Sequence, residues 1–238
     1  EDPVAQFEAM TAVARLVDDD PAWDAIWVYD HFHTVPQPEL ETTFECWTIT
    51  ATLARDTRRV RIGQMVTSNG YRNPALLAKI ASTIDVASHG RLNVGIGAGW
   101  YEHEWRAYGY GFPDIPERMR MFREGVEILH RMWTEDYPRF RGRHYAIDGP
   151  INEPKGVQQP HPPLWIGGGG EQVTLKLVAQ YADACNVGGG NPDVIRQKLA
   201  VLQRHCAALG RDYDELTKSP SVTLVLLEYG ADPETATA

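Results

Sequence analysis

Residues able to do proton or phosphate chemistry gather at a few short places in this chain. Asp30-His31-Phe32-His33 sets a carboxylate beside imidazoles, and histidine titrates near neutrality, so His31 with Asp30 is the candidate pair for moving a proton. The bland alternative is a histidine hydrogen-bonded in a loop. His31-x-His33 also places two imidazoles on one side of an extended segment, a spacing that suits a metal. That reading needs further ligands, and the later candidate positions supply only glycines, Asn186 and His103, while Glu102-His103-Glu104 is not H-E-x-x-H. No metal is therefore expected.

The second place is Gly167-Gly168-Gly169-Gly170, followed by Glu171. Consecutive glycines between a strand and a helix leave backbone N–H groups uncovered near the positive helix end, which suits a phosphate better than a plain turn requires. Neither this tract nor Gly95-Ile96-Gly97-Ala98-Gly99 has G-x-G-x-x-G spacing, and no Gly-Lys-Ser/Thr follows. A mononucleotide-type phosphate is thus favoured over a nicotinamide dinucleotide or a nucleoside triphosphate. A G-x-S-x-G nucleophile turn is also missing. Trp100, Tyr101, Trp105 and Tyr108 could wall a flat ring, but such aromatics are more often packing and are not counted as catalytic.

The elements that must position these residues alternate. Short apolar runs at 25–29, 60–66, 92–97, 164–166, 184–187 and 222–227 read as strands, and Thr67-Ser68-Asn69-Gly70 as a polar turn. Helices are expected at 4–17, 43–55, from Asn73-Pro74 towards Gly90, at 118–133, 171–181 and from Asn191-Pro192 to Gly210. Five of the six strands are followed by a visible helix. This pattern predicts a parallel sheet covered by helices, either an open doubly wound sheet or a closed (β/α)8 barrel. Both gather their active sites at strand C-termini. Segment 134–163 is irregular, with a hairpin expected around Gly142, and reads as an insertion or lid within one domain spanning 1–238.

Composition limits the partners. The chain has 238 residues, 43% of them hydrophobic, and 23 Lys plus Arg against 32 Asp plus Glu, a formal net charge of -9. Such a chain folds, and its acidic balance argues against duplex nucleic acid, whose binding relies on Lys and Arg. No apolar run reaches the roughly 18 to 20 residues of a membrane helix. Cys46, Cys185 and Cys206 lack disulfide or zinc-ribbon spacing, so a reducing cytoplasm fits, and no signal-peptide pattern opens the chain.

Several stretches together, Trp27-Val28-Tyr29-Asp30-His31-Phe32, Asn73-Pro74-Ala75, Asp85-Val86-Ala87-Ser88-His89-Gly90-Arg91, Gly97-Ala98-Gly99-Trp100 and Pro163-Leu164-Trp165-Ile166-Gly167-Gly168-Gly169, resemble the luciferase-like flavin and deazaflavin oxidoreductases. The Asp-His-Phe triplet looks more like the branch that uses coenzyme F420 than the branch that uses FMN. The resemblance implies a (β/α)8 TIM barrel, hydride transfer between F420 and a small-molecule substrate, and a homodimer. It places Asp30 and His31 at the cofactor ring, with Met65, Thr67 and His103 nearby, a non-proline cis peptide near Gln64-Met65, and the phosphate on Gly167, Gly168, Gly169 and Gly170, with Glu171 and Asn186 adjacent. In the sugar-phosphate dehydrogenases of this group a catalytic Glu stands where this chain has Trp100, and an Asn where it has His103, so glucose 6-phosphate is not the expected substrate. The alternatives are an FMN-dependent monooxygenase on the same fold and a metal-dependent barrel hydrolase using His31 and His33. A barrel of this type takes about 250 residues or more, so its first and last strands are expected to be missing here.

Overall fold

The computed structural model describes residues 2–222 and 224–227. Its helices follow the cap signals in the sequence. Asn73 accepts a hydrogen bond from the Ala75 amide at 2.9 Å and starts helix α3, Pro74–Ala87; Asn191 caps α7, Pro192–Leu209, in the same way. Gly210 closes α7 in the left-handed region, at φ 67°. The other helices are α1 (Pro3–Asp19), α2 (Cys46–Asp56), α4 (Glu102–Ala107), α5 (Ile115–Thr134) and α6 (Thr174–Tyr181). The sequence pattern does not announce α4. At six residues it is too short to show an apolar stripe.

The strands are β1 (Ala25–Val28), β2 (Arg61–Gln64), β3 (Thr67–Ser68), β4 (Leu92–Gly97), β5 (Arg139–Arg141), β6 (Ala146–Asp148), β7 (Leu164–Gly167), β8 (Ala184–Gly189) and β9 (Thr217–Ser221). One sheet runs β1-β2-β4-β7-β8-β9 with every pair parallel, and β3 joins β4 alongside. Thr67 and Ser68, expected in a turn, are thus strand residues. The last strand also differs from expectation. It lies at Thr217–Ser221, polar and containing Pro220, rather than at the apolar run 222–227, whose described residues form no strand. A strand paired only with β8 is an edge, where polar residues and proline are tolerated, so hydrophobicity does not mark it. Residue 223 of the expected strand lies outside the described residues.

The sheet is curled. Trp27 of β1 and Trp165 of β7 stand three strand spacings apart, about 14 Å in a flat sheet, yet their ring centroids are 4.8 Å apart. In register, Trp27 lies opposite Gly63 and Trp165 opposite Gly95, so the two indoles fill the trough above glycines. Leu92, Val94 and Ile96 alternate to the other face and are fully buried under the helices together with Ile62, Leu164 and Ile166. The resemblance implies a (β/α)8 barrel short of its first and last strands, and the described residues form a curled parallel sheet of that kind without closing into a full barrel. Among them β1 and β9 remain two separate edges, giving a half-barrel.

The 134–163 segment contains the expected hairpin, β5 with β6 antiparallel. Its later part is tied to the strands' N-terminal end. Buried Asp85 accepts the Val157 and Gln158 amides at 2.7 and 3.0 Å, and Gln158 donates to the Leu92 carbonyl at 2.8 Å. Gly95 marks the opposite constraint, because a Cβ there would stand 1.8 Å from the Gln64 carbonyl oxygen. Gly95→Ala is expected to lower stability by about 3 kcal/mol or more, seen as a lower urea midpoint at unchanged slope.

Candidate functional site

Two adjoining cavities open at the C-terminal ends of the strands. The smaller, about 290 Å³, is lined by Tyr29, Asp30, His31, Val35, Thr67, Ser68, Tyr71 and Tyr101. The larger, about 900 Å³, is lined by Trp27, Gly97, Gly167, Gly168, Gly169, Gly170, Asn186 and Ser219 among others. Tyr29, Met65, Val66, Gly99 and Trp100 line both and join them into one cleft. No residue of 134–163 lines either cavity, so that segment does not cover the site.

His31 is held by a carboxylate that the sequence does not single out. Glu104, fully buried on α4, takes the His31 Nδ1 at 2.8 Å, the Tyr71 hydroxyl at 2.7 Å and the amides of Phe32 and His33 at 2.7 and 3.2 Å. Burial pushes the Glu104 carboxyl up, but the bonds from His31, Tyr71 and Phe32 outweigh it and hold its pKa below the ordinary 4.5. Burial and the same carboxylate push the Tyr71 phenol up, so it stays a donor. An ionised carboxylate only accepts, so the His31 Nδ1 carries hydrogen. Its Nε2 has no partner among the described residues and belongs to a ring that lines the smaller cavity.

Asp30 is held in a different way. Its carboxylate is buried and accepts two bonds from Arg72, at 2.7 and 3.0 Å, the Ser68 amide at 3.0 Å, and the Thr67 hydroxyl. Thr67 in turn accepts from the Trp47 indole at 3.0 Å. Arg72 also pairs with Glu45, which caps α2. Burial works against the Arg72 charge, yet Asp30 and Glu45 hold its pKa above the usual arginine value. With its acceptor directions engaged, Asp30 sets the shape of the strand-end loop, leaving His31 as the side chain with a free nitrogen.

The Met65–Val66 peptide is cis, one bond beyond the expected position. Val66 lies over Gly97 and Gly167, where a Cβ added to either glycine would come within 2.9 Å of its methyls. In the glycine tract, the Gly168 amide donates to the Asn186 carbonyl at 2.8 Å, while those of Gly169 and Gly170 have no partner among the described residues. Glu171, expected to open a helix, stands instead in a turn before α6, where Lys198 at 2.8 Å lowers its pKa. The Lys198 stem passes beside Gly169, a position no sequence signal announces. Asn186 bonds the Ser221 hydroxyl at 3.1 Å and lines the larger cavity. His103 lines neither cavity and instead meets His33 Nε2 at 3.1 Å. Among the described residues no group of three or more His, Cys, Asp or Glu could hold a metal, so the hydrolase alternative has no ligand set there. No helix among them is long and apolar enough to cross a membrane.

A family profile described as "Luciferase-like monooxygenase" matches residues 2–236. An F420-dependent glucose-6-phosphate dehydrogenase of Amycolatopsis mediterranei is 32% identical over 219 residues, covering 90% of this chain and 63% of the relative. An FMNH2-dependent dimethylsulfone monooxygenase of Pseudomonas putida is 28% identical over 166 residues, covering 70% and 45%. The chain spans 62 to 63% of the length of the first curated relatives it matches. Among solved structures, an F420-dependent secondary alcohol dehydrogenase bound to an F420-acetone adduct superposes with a TM-score of 0.79 at 23% identity, over 90% of this chain and 64% of the other. A monooxygenase from Streptomyces bottropensis gives 0.73, also at 23% identity, over 87% and 61%.

Two outcomes follow from the buried charges. Arg72→Met strands Asp30 and Glu45 and is expected to cost about 3 to 5 kcal/mol in chemical denaturation. Glu104 has a lowered pKa in the fold, so its stabilisation is present above the unfolded value and is lost as pH falls through the folded one. The urea midpoint should therefore fall, on acidification from the ordinary carboxylate range downward, more steeply for the wild type than for Glu104→Gln.

Proposed function

The chain belongs to the luciferase-like monooxygenase family, and from that membership and the site geometry we propose an oxidoreductase that moves a hydride between coenzyme F420 and a small organic molecule. The observation that carries the reading is the continuity of the cleft. His31, oriented by Glu104, stands on one side of Met65 and Val66, and the glycine tract with its two free amides stands on the other. That span suits a flat ring joined to a phosphate. Gly169 and Gly170 would hold the phosphate through their amides with Lys198 beside them, and Val66 over Gly97 and Gly167 would support the ring.

Bound F420 supplies two-electron hydride chemistry. The chain's own residues supply the remainder. Reduction of a carbonyl at carbon requires one proton at its oxygen, and oxidation of a hydroxyl requires one removed; His31 Nε2 is the group that delivers or takes it. Glu104 fixes the ring orientation and stabilises the imidazolium when it forms. Asp30, Thr67 and Arg72 hold the loop, and Trp100 and Tyr101 stand edge-on against the His31 ring.

F420 is preferred to FMN because the curated match that covers 90% of this chain is an F420 enzyme, while the FMN enzyme covers 70%. The same proposal includes closure of the half-barrel to a (β/α)8 barrel by strands beyond β1 and β9, assembly as a homodimer, and work in the cytoplasm, where the three buried free cysteines stay reduced. Parallel fluorescence titrations with F420 and FMN test the cofactor; micromolar F420 binding without FMN binding is expected, and the reverse selects the monooxygenase reading. His31→Ala should lower kcat by about 100-fold or more with little change in F420 affinity, and equal loss of both would make His31 structural.

A further inference from the structure

The wall of the smaller cavity that carries Val35 belongs to an irregular segment. Residues 35–43 are exposed, Leu40 fully so, and the Thr34 hydroxyl bonds only Gln37 and Glu39 of the same segment. Among the described residues, the hydrogen bonds that tie 33–43 to the rest of the fold end on residues 101–104, at the start of α4. The His33 amide donates to Glu104 at 3.2 Å, the Tyr101 hydroxyl donates to the Pro36 carbonyl at 3.1 Å, and His33 Nε2 meets His103 Nδ1 at 3.1 Å. Val35 and Tyr101 both line the smaller cavity, so these bonds hold part of its wall.

The bond between His33 and His103 differs from the other two because it depends on protons. His33 Nδ1 faces the Thr34 carbonyl at 3.3 Å and Glu104 Oε1 at 3.7 Å, both acceptors, so it carries hydrogen and the neutral ring leaves Nε2 bare. His103 Nδ1 is then the donor. One added proton leaves the bond intact, since it can settle on His103 Nε2, which has no partner among the described residues. A second proton puts hydrogen on His33 Nε2, and two donors on positive rings then face each other. The charged and titratable groups around the pair are Glu104, which also holds His31 Nδ1, Tyr101, whose ring stacks on His103, and Glu102, already paired with Arg106 at 2.7 Å. Glu104 is held below its ordinary pKa and stays ionised over the range in which imidazoles change charge.

We propose that His103 is a positioning residue for the smaller cavity: through His33 it fixes the wall that carries Val35, and that hold is released on acidification. His103 lines neither cavity and acts through His33 alone. The proposal deepens the oxidoreductase reading and rests on it only for what the cavity holds.

Hydrogen exchange of the Phe32 and His33 amides, which bond Glu104, tests it when followed without cofactor or substrate at about pH 8 and about pH 5 and corrected for the intrinsic effect of pH. In the wild type the protection of both amides is expected to fall about fivefold or more at the lower pH. His103→Ala should show the lower protection at both. His103→Asn offers an amide N–H to neutral His33 and an amide oxygen to protonated His33, so it should keep the protection at both. Glu104 is present in that variant, so retained protection separates the imidazole pair from a general weakening by acid. Wild-type protection indifferent to pH overturns the proposal. So does His103→Ala as protected as the wild type at the higher pH, or His103→Asn losing protection as the wild type does. Failure of F420 to bind in a parallel titration would remove the oxidoreductase reading and leave these exchange outcomes standing.

Discussion

Four donors from two loops end on one buried carboxylate, that of Glu104. A charge removed from water must be met by hydrogen bonds, and here they come from the loop after β1 and from Tyr71 after β3. The carboxylate therefore joins α4 to both loops. It also sets His31, because the nitrogen that faces Glu104 must carry hydrogen and the other is left for the cleft. Asp30 performs a parallel task one residue earlier, with Arg72, Thr67 and the Ser68 amide as its partners. Adjacent residues of one loop are thus clamped by two different networks.

The curl of the sheet makes this loop part of a cleft. Trp27 and Trp165 meet across the trough because Gly63 and Gly95 stand opposite them, and Val66 settles over Gly97 and Gly167 at the open end. Side chains on those glycines would collide with Trp27, the Gln64 carbonyl and the Val66 methyls, so none of these residues could keep its place. The same stacking of strand ends brings the glycine tract after β7 and Asn186 of β8 to the far side of Met65 and Val66. A proton-handling group and a set of free backbone amides are then separated by a floor of small and aliphatic residues.

Much of this is legible in the sequence, and the rest is hidden for identifiable reasons. Asn73-Pro74 and Asn191-Pro192 announce their helices because capping is local chemistry. The interior strands are visible because both of their faces are buried. Edge strand β9 is not, since polar residues and Pro220 serve as well as apolar ones there, and the apolar run that follows attracts the assignment. His31 and the glycine tract can be found from residue type alone. Glu104 and Arg72 cannot, because their roles depend on partners 73 and 42 residues away. Glu102, Glu104 and His103 look alike in sequence, yet only Glu104 faces inward on α4.

The orientation of His31 by Glu104 is the claim on which the chemical reading rests. Nitrogen-15 NMR of the imidazole rings observes it directly, because the protonated and bare ring nitrogens have well-separated shifts. The account predicts that at a pH where His31 is neutral its Nδ1 is the protonated nitrogen and Nε2 the bare one, and that Glu104→Gln disturbs this assignment. A neutral His31 protonated at Nε2, with the same spectrum in wild type and Glu104→Gln, would contradict it.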